Sequence, residues 1–78
     1  LERARLSRVD RAEDYIRGFG FRVVRVRDRG ERAEIEIGED ELESTDMAEL
    51  RGRIYPRLSE MGYRSVVINP YRRGRWDV

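Results

Sequence analysis

The spacing of apolar residues changes period at Gly20, and that change dictates where helix must give way to strand. Before it, Leu6, Val9, Ala12, Ile16 and Phe19 recur at intervals of three and four, which at about 100° per residue puts them on one helical face. A first helix is therefore predicted from about Leu6 to Phe19, stopped by Gly20. After it, Val24 and Val26 alternate with Arg25 and Arg27, and Ala33, Ile35 and Ile37 alternate with Glu34 and Glu36. Two strands, Phe21–Arg27 and Arg32–Ile37, with Asp28-Arg29-Gly30-Glu31 between them, read as a β-hairpin. With Arg29-Gly30 as the turn centre, Val24 faces Ile35, Val26 faces Ala33, Arg25 faces Glu34 and Arg27 faces Arg32. A one-residue slip would set Val24 against Glu34 and break the apolar face. Arg29 is not the residue a type I′ turn prefers, so a slightly longer turn with the same pairing is the alternative.

The second half repeats the scheme. The acidic stretch Glu39-Asp40-Glu41-Leu42-Glu43-Ser44 is a loop or a single helical turn. A helix then starts at Asp46, where Asp46 and Glu49 have the spacing of a capping box. Its expected buried stripe is Met47, Leu50, Ile54, Leu58 and Met61; Gly62 ends it, and Pro56 inside it predicts a kink. A third strand, Ser65-Val66-Val67-Ile68, is closed by Asn69-Pro70. The junction Phe19-Gly20-Phe21-Arg22-Val23-Val24 is echoed by Met61-Gly62-Tyr63-Arg64-Ser65-Val66-Val67. The expected fold is α+β, in the order α-β-β-α-β: a three-stranded sheet with two helices on one face, resembling a ferredoxin-like pattern that lacks its first strand. Seventy-eight residues suit one small domain.

Composition narrows the chemistry. The chain has no Cys and no His, which removes disulfides, Cys/His zinc sites, thiol nucleophiles and His-based triads. Its 17 basic residues are all Arg, and 16 acids bring the net charge to +1, so a general polyanion binder is not expected. Arg matters here as a planar fork suited to carboxylate and phosphate. No run approaches the roughly 18 apolar residues of a membrane span and no start looks like a signal peptide, so a cytoplasmic protein without membrane contact is the expectation. No Gly-rich phosphate loop or nucleophile elbow occurs.

Four residues are candidates for a site. Glu13 borders the apolar helical face, where a carboxylate must be paired, hydrogen-bonded or used; Arg17, four residues on, is its local partner. Arg25 and Arg27 share the strand face opposite Val24 and Val26, and two forks so placed can grip one phosphate. The alternative is a cross-strand ladder in which Glu34 neutralises Arg25, whereas Arg27 faces a like charge. Arg72 lies in the basic, aromatic tail from Tyr71 to Trp76, which reads as a substrate-binding loop, a single-strand nucleic-acid contact or a frayed terminus.

The stretches Ser7-Arg8-Val9-Asp10-Arg11-Ala12-Glu13, Gly20-Phe21-Arg22-Val23-Val24-Arg25-Val26-Arg27, Gly30, and Ala33-Glu34-Ile35-Glu36-Ile37 are followed by Gly62-Tyr63-Arg64-Ser65-Val66-Val67 and Tyr71-Arg72-Arg73-Gly74. In this order they resemble the C-terminal part of the LarE-type ATP-dependent sacrificial sulfur transferases, of the PP-loop pyrophosphatase superfamily. In that family a helix with a Val-Glu-x-Ala-Glu pattern leads to Leu-Gly-Phe-Arg-x-Val-Arg-Val-Arg, a Gly turn and Ala-Arg-Ile-Glu-Val. The family usually has His where this chain has Arg29. The resemblance implies a domain that follows an ATP-binding PP-loop domain and helps form a homo-oligomer. It implies a parent protein that uses ATP and Mg to adenylate a carboxylate and then transfers sulfur to a nucleotide-type substrate. Arg25, Arg27 and Arg72 match family arginines implicated in binding the substrate phosphate, and Glu13 matches a helix carboxylate near the active site. The Ser-Gly-Gly-x-Asp-Ser loop and the donor Cys would precede Leu1, so no catalytic residue is expected within the chain. Two other classes remain: an RNA or single-stranded nucleic-acid binding module, and a structural module that docks subunits through an exposed sheet edge.

Overall fold

Six elements follow one another in a computed structural model that describes residues 3–71, with side-chain surroundings from Arg8 onward. They are α1 (Arg3–Arg17), β1 (Val24–Arg29), β2 (Arg32–Gly38), α2 (Glu39–Glu43), α3 (Met47–Glu60) and β3 (Ser65–Tyr71). The fold is the expected α+β order, with the acidic stretch forming the short helix α2. The sheet order is β1-β2-β3, antiparallel between β1 and β2 and parallel between β2 and β3. Arg72 and the rest of the tail, like the Leu6 side chain, lie outside the described residues.

The two amphipathic helices bury their stripes on one face of the sheet. Ala12 and Ile16 of α1, with Leu50, Ile54 and Leu58 of α3, pack against Val24, Val26, Ala33, Ile35, Ile37, Val66 and Ile68. Covering each of the larger aliphatic side chains contributes about 1.5–3 kcal/mol. Tyr63, between α3 and β3, is also core, at 1% exposure. Met47 does not join the stripe: it opens α3 and is 40% exposed. Asp46 caps α3 as anticipated, its side chain accepting from the Glu49 amide at 3.2 Å, one of the donors a helix start leaves unbonded. The helix runs on through Pro56, where ring and freed Gly52 carbonyl are on the exposed side. The third strand reaches past Asn69 to Tyr71; Pro70 fits because β3 is an edge strand.

The hairpin register differs from the expected one by two residues. Val24 pairs with Ile37, Arg25 with Glu36, Val26 with Ile35, Arg27 with Glu34 and Arg29 with Arg32. The loop is thus Gly30-Glu31, not Arg29-Gly30. Gly30 takes φ +81° and no non-glycine residue has positive φ among the described residues, the pattern of a type II′ loop, which wants Gly first. A two-residue shift returns every side chain to its original face, so apolar alternation could not tell the two registers apart.

Candidate functional site

The face of the sheet away from the helices carries the candidate arginines. Its cross-strand rows are Arg25, Glu36 and Asn69, then Arg27, Glu34 and Val67. Glu34 draws in the neighbouring arginines, with Arg29 Nε at 3.1 Å and Arg32 Nη2 at 3.0 Å. The Arg29 hydrogen bond foremost, with Arg32 behind it, holds the Glu34 carboxyl below the usual carboxylate value. Arg27 Nη2 lies 3.8 Å from Glu36 Oε1, too far for a hydrogen bond, and that oxygen is buried without a hydrogen-bond partner. Arg25 has no carboxylate partner among the described residues. Its guanidinium instead sits 5.7 Å from the Tyr71 ring centroid, within cation–π range, which leaves its N–H donors unspent.

Tyr71 links this face to a cleft of about 540 Å³ lined by Arg22, Val23, Gly38, Glu39, Asp40, Glu41 and itself. At its base the Glu41 carboxylate holds two consecutive backbone amides: Arg22 N donates to Oε1 at 2.8 Å and Val23 N to Oε2 at 3.0 Å. Gly38 makes room for it, since a Cβ there would lie 2.6 Å from Glu41 Oε2.

Glu13 goes elsewhere. Its Oε2 accepts from the Val26 amide at 3.1 Å, while Oε1 is 3.8 Å from Arg17 Nη2 and Arg17 reaches the Val24 carbonyl at 3.5 Å. These side chains from α1 satisfy backbone groups on the outer edge of β1, the work a further strand would do. Glu13 therefore comes from the helix-covered side and is not brought together with Arg25 and Arg27 on the open face. Arg72 follows Tyr71 directly and lies outside the described residues.

The most densely bonded polar group escaped the sequence reading. Asp28 ends the run Val24, Val26, Asp28 on the helix side of β1, and its carboxylate accepts from Arg8 Nε at 3.1 Å, Arg8 Nη2 at 2.8 and 2.9 Å, Tyr63 Oη at 3.0 Å and the Gly30 amide at 2.8 Å. The Arg8 guanidinium lies 4.1 Å from the Tyr63 ring centroid. Burial pushes the Asp28 carboxyl up, but Arg8, the Gly30 amide and Tyr63 outweigh it and hold it below the usual value. Burial, then Asp28, raises the Tyr63 hydroxyl. Arg8 is raised chiefly by the same carboxylate. With its oxygens this fully engaged, Asp28 is a structural tie. The available signal was an acid in phase with the apolar stripe Val24 and Val26, one residue past the expected end of the strand at Arg27.

Among the described residues no three acidic side chains are grouped to hold a metal ion, and no helix is long and apolar enough to cross a membrane. The sequence holds no Gly-rich phosphate loop. Compared with known proteins, the chain matches no family model and no curated protein.

Proposed function

We propose that the chain is a C-terminal substrate-binding domain of a PP-loop ATP-dependent sulfur transferase, and that the open face of its sheet holds the phosphate of a nucleotide substrate. The observation that supports this reading is Arg25, whose guanidinium rests over Tyr71 with no carboxylate partner among the described residues. Arg27 stands two residues along the same face, held among the described residues by a long contact to Glu36, and Arg72 follows Tyr71 in sequence. An unpaired fork on a strand is pre-positioned for a bidentate phosphate contact. ATP, Mg and the sulfur donor belong to the preceding domain in this reading.

The test is Arg25→Ala and Arg72→Ala in the full-length protein. Loss of a charge-assisted hydrogen bond of about 1.5–3 kcal/mol weakens use of the nucleotide substrate roughly 10- to 100-fold, while ATP binding stays near wild type. Unchanged substrate affinity in both variants refutes the assignment, as does an upstream sequence without a Ser-Gly-Gly-x-Asp-Ser-like loop. Oligonucleotide binding that falls steeply with salt, without mononucleotide binding, would place the chain among nucleic-acid modules instead.

A further inference from the structure

Glu41 occupies a place built for an anion. Its two oxygens each take one of two consecutive amides, Arg22 N and Val23 N, and paired backbone N–H groups of this kind bind carboxylate and phosphate alike. Arg22, which lines the same cleft, has no ion pair among the described residues, and Tyr71, another lining residue, is the ring over which Arg25 sits. Arg22 and the two amides thus border one cleft with an internal carboxylate, Glu41, and the Tyr71 ring joins that cleft to Arg25.

The element that delivers Glu41 is lightly held. Helix α2 has five residues, none buried, and no side-chain cap on its N-terminus; Leu42 alone among them packs partly against the core. The Ser44 and Thr45 hydroxyls donate to the Glu41 carbonyl, but that is within the same segment. Contact of the Glu41 carboxylate with the Arg22 and Val23 amides is thus one tie between α2 and the chain before β1.

We infer that the Arg22 and Val23 amides are the second half of the anion site, that Glu41 fills them while the site is empty, and that an incoming phosphate displaces Glu41 and frees α2. This rests on the proposed phosphate-binding role of Arg25. Glu39 and Asp40 also line the cleft, so net charge does not draw the anion in; phosphate displaces Glu41 because two of its oxygens can take both amides as the carboxylate does, which a single chloride ion cannot. Glu41 is an autoinhibitory side chain: binding carries the cost of removing it, and weakening its hold raises the competent fraction.

The test is an amide chemical-shift titration of the chain with inorganic phosphate, against sodium chloride at matched ionic strength, in wild type, Glu41→Gln, Glu41→Asp and Arg25→Ala. Phosphate is expected to shift the Arg22, Val23 and α2 amides together with Tyr71. Glu41→Gln is expected to tighten phosphate binding about fivefold or more, Glu41→Asp by less, and Arg25→Ala to weaken it. Phosphate that shifts Tyr71 and depends on Arg25, yet leaves the Arg22 and Val23 amides unmoved or binds Glu41→Gln no better, overturns the displacement and leaves the phosphate role intact. Absence of phosphate binding in every variant overturns both. A Glu41→Gln chain that fails to fold, by circular dichroism, also overturns the inference, because a side chain the fold requires is not one a ligand displaces.

Discussion

Replacing Asp28 by Ala removes a group that ties α1, the hairpin and the α3–β3 connection together. Three partners lose their acceptor. The Tyr63 hydroxyl belongs to a residue only 1% exposed, and leaving it unsatisfied costs about 1–3 kcal/mol. The Arg8 guanidinium, at 26% side-chain exposure against 15% for Asp28, loses charge-assisted hydrogen bonds, of which water recovers part; about 1 kcal/mol remains. The exposed Gly30 amide is solvated and adds little. The expected total is about 3 kcal/mol, a large share of the roughly 4–12 kcal/mol that a chain of this length has altogether. In urea unfolding followed by far-ultraviolet circular dichroism, the midpoint should fall by roughly 2 M. The charge has its own signature. Because the folded carboxyl is held below its ordinary value, its contribution is complete above the unfolded value of about 3.9 and is lost as pH falls through the lower folded one. Wild type should therefore lose stability below about pH 4 more steeply than Asp28→Asn. A midpoint within error of wild type for Asp28→Ala, or identical acid limbs for wild type and Asp28→Asn, would refute the account.

Two further substitutions probe local structure. Gly30→Ala meets no atom within 4 Å but must hold φ +81°, so its cost is backbone strain of roughly 1–2 kcal/mol, seen as a lower melting temperature; an unchanged melt would mean the loop is not of the II′ kind. Asp46→Ala removes the cap on α3 and should cost about 1 kcal/mol, with Asp46→Asn nearly neutral, measured by chemical denaturation; equal losses in both would assign the effect to something other than the cap.

What was legible in the sequence was local. Ala12 and Ile16 of the α1 stripe, the Asp46 cap and the alternation of both hairpin strands each depend on neighbours within a turn or a pleat, and each was found. The polar ties that hold the elements together depend on pairs distant in sequence: Arg8 with Asp28, Asp28 with Tyr63, Glu41 with the Arg22 and Val23 amides. Nothing in the spacing of a lone Asp or Glu says which remote donor it will meet. Met47 was misplaced for a related reason, since a residue at the first turn of a helix can be in phase with the stripe and yet lie beyond the sheet that would cover it.

The register of the hairpin also decides which arginine is available. Under a loop at Arg29-Gly30, Arg25 would face Glu34 and be neutralised, while Arg27 would face Arg32 and remain the unpaired fork. Under the observed Gly30-Glu31 loop both face a glutamate, Arg25 opposite Glu36 and Arg27 opposite Glu34; Arg27 leans toward Glu36, and Arg25 turns to the Tyr71 ring. The register follows from a single backbone preference, that the first position of the tight loop needs positive φ, which Gly30 supplies. A turn residue on the hairpin thereby sets which side chain each guanidinium faces across the strands. Shifting the loop by two residues would leave the core face unchanged, with the same valines and isoleucines buried, and would still move the free fork two residues along the strand, about 7 Å farther from the cleft that Tyr71 lines.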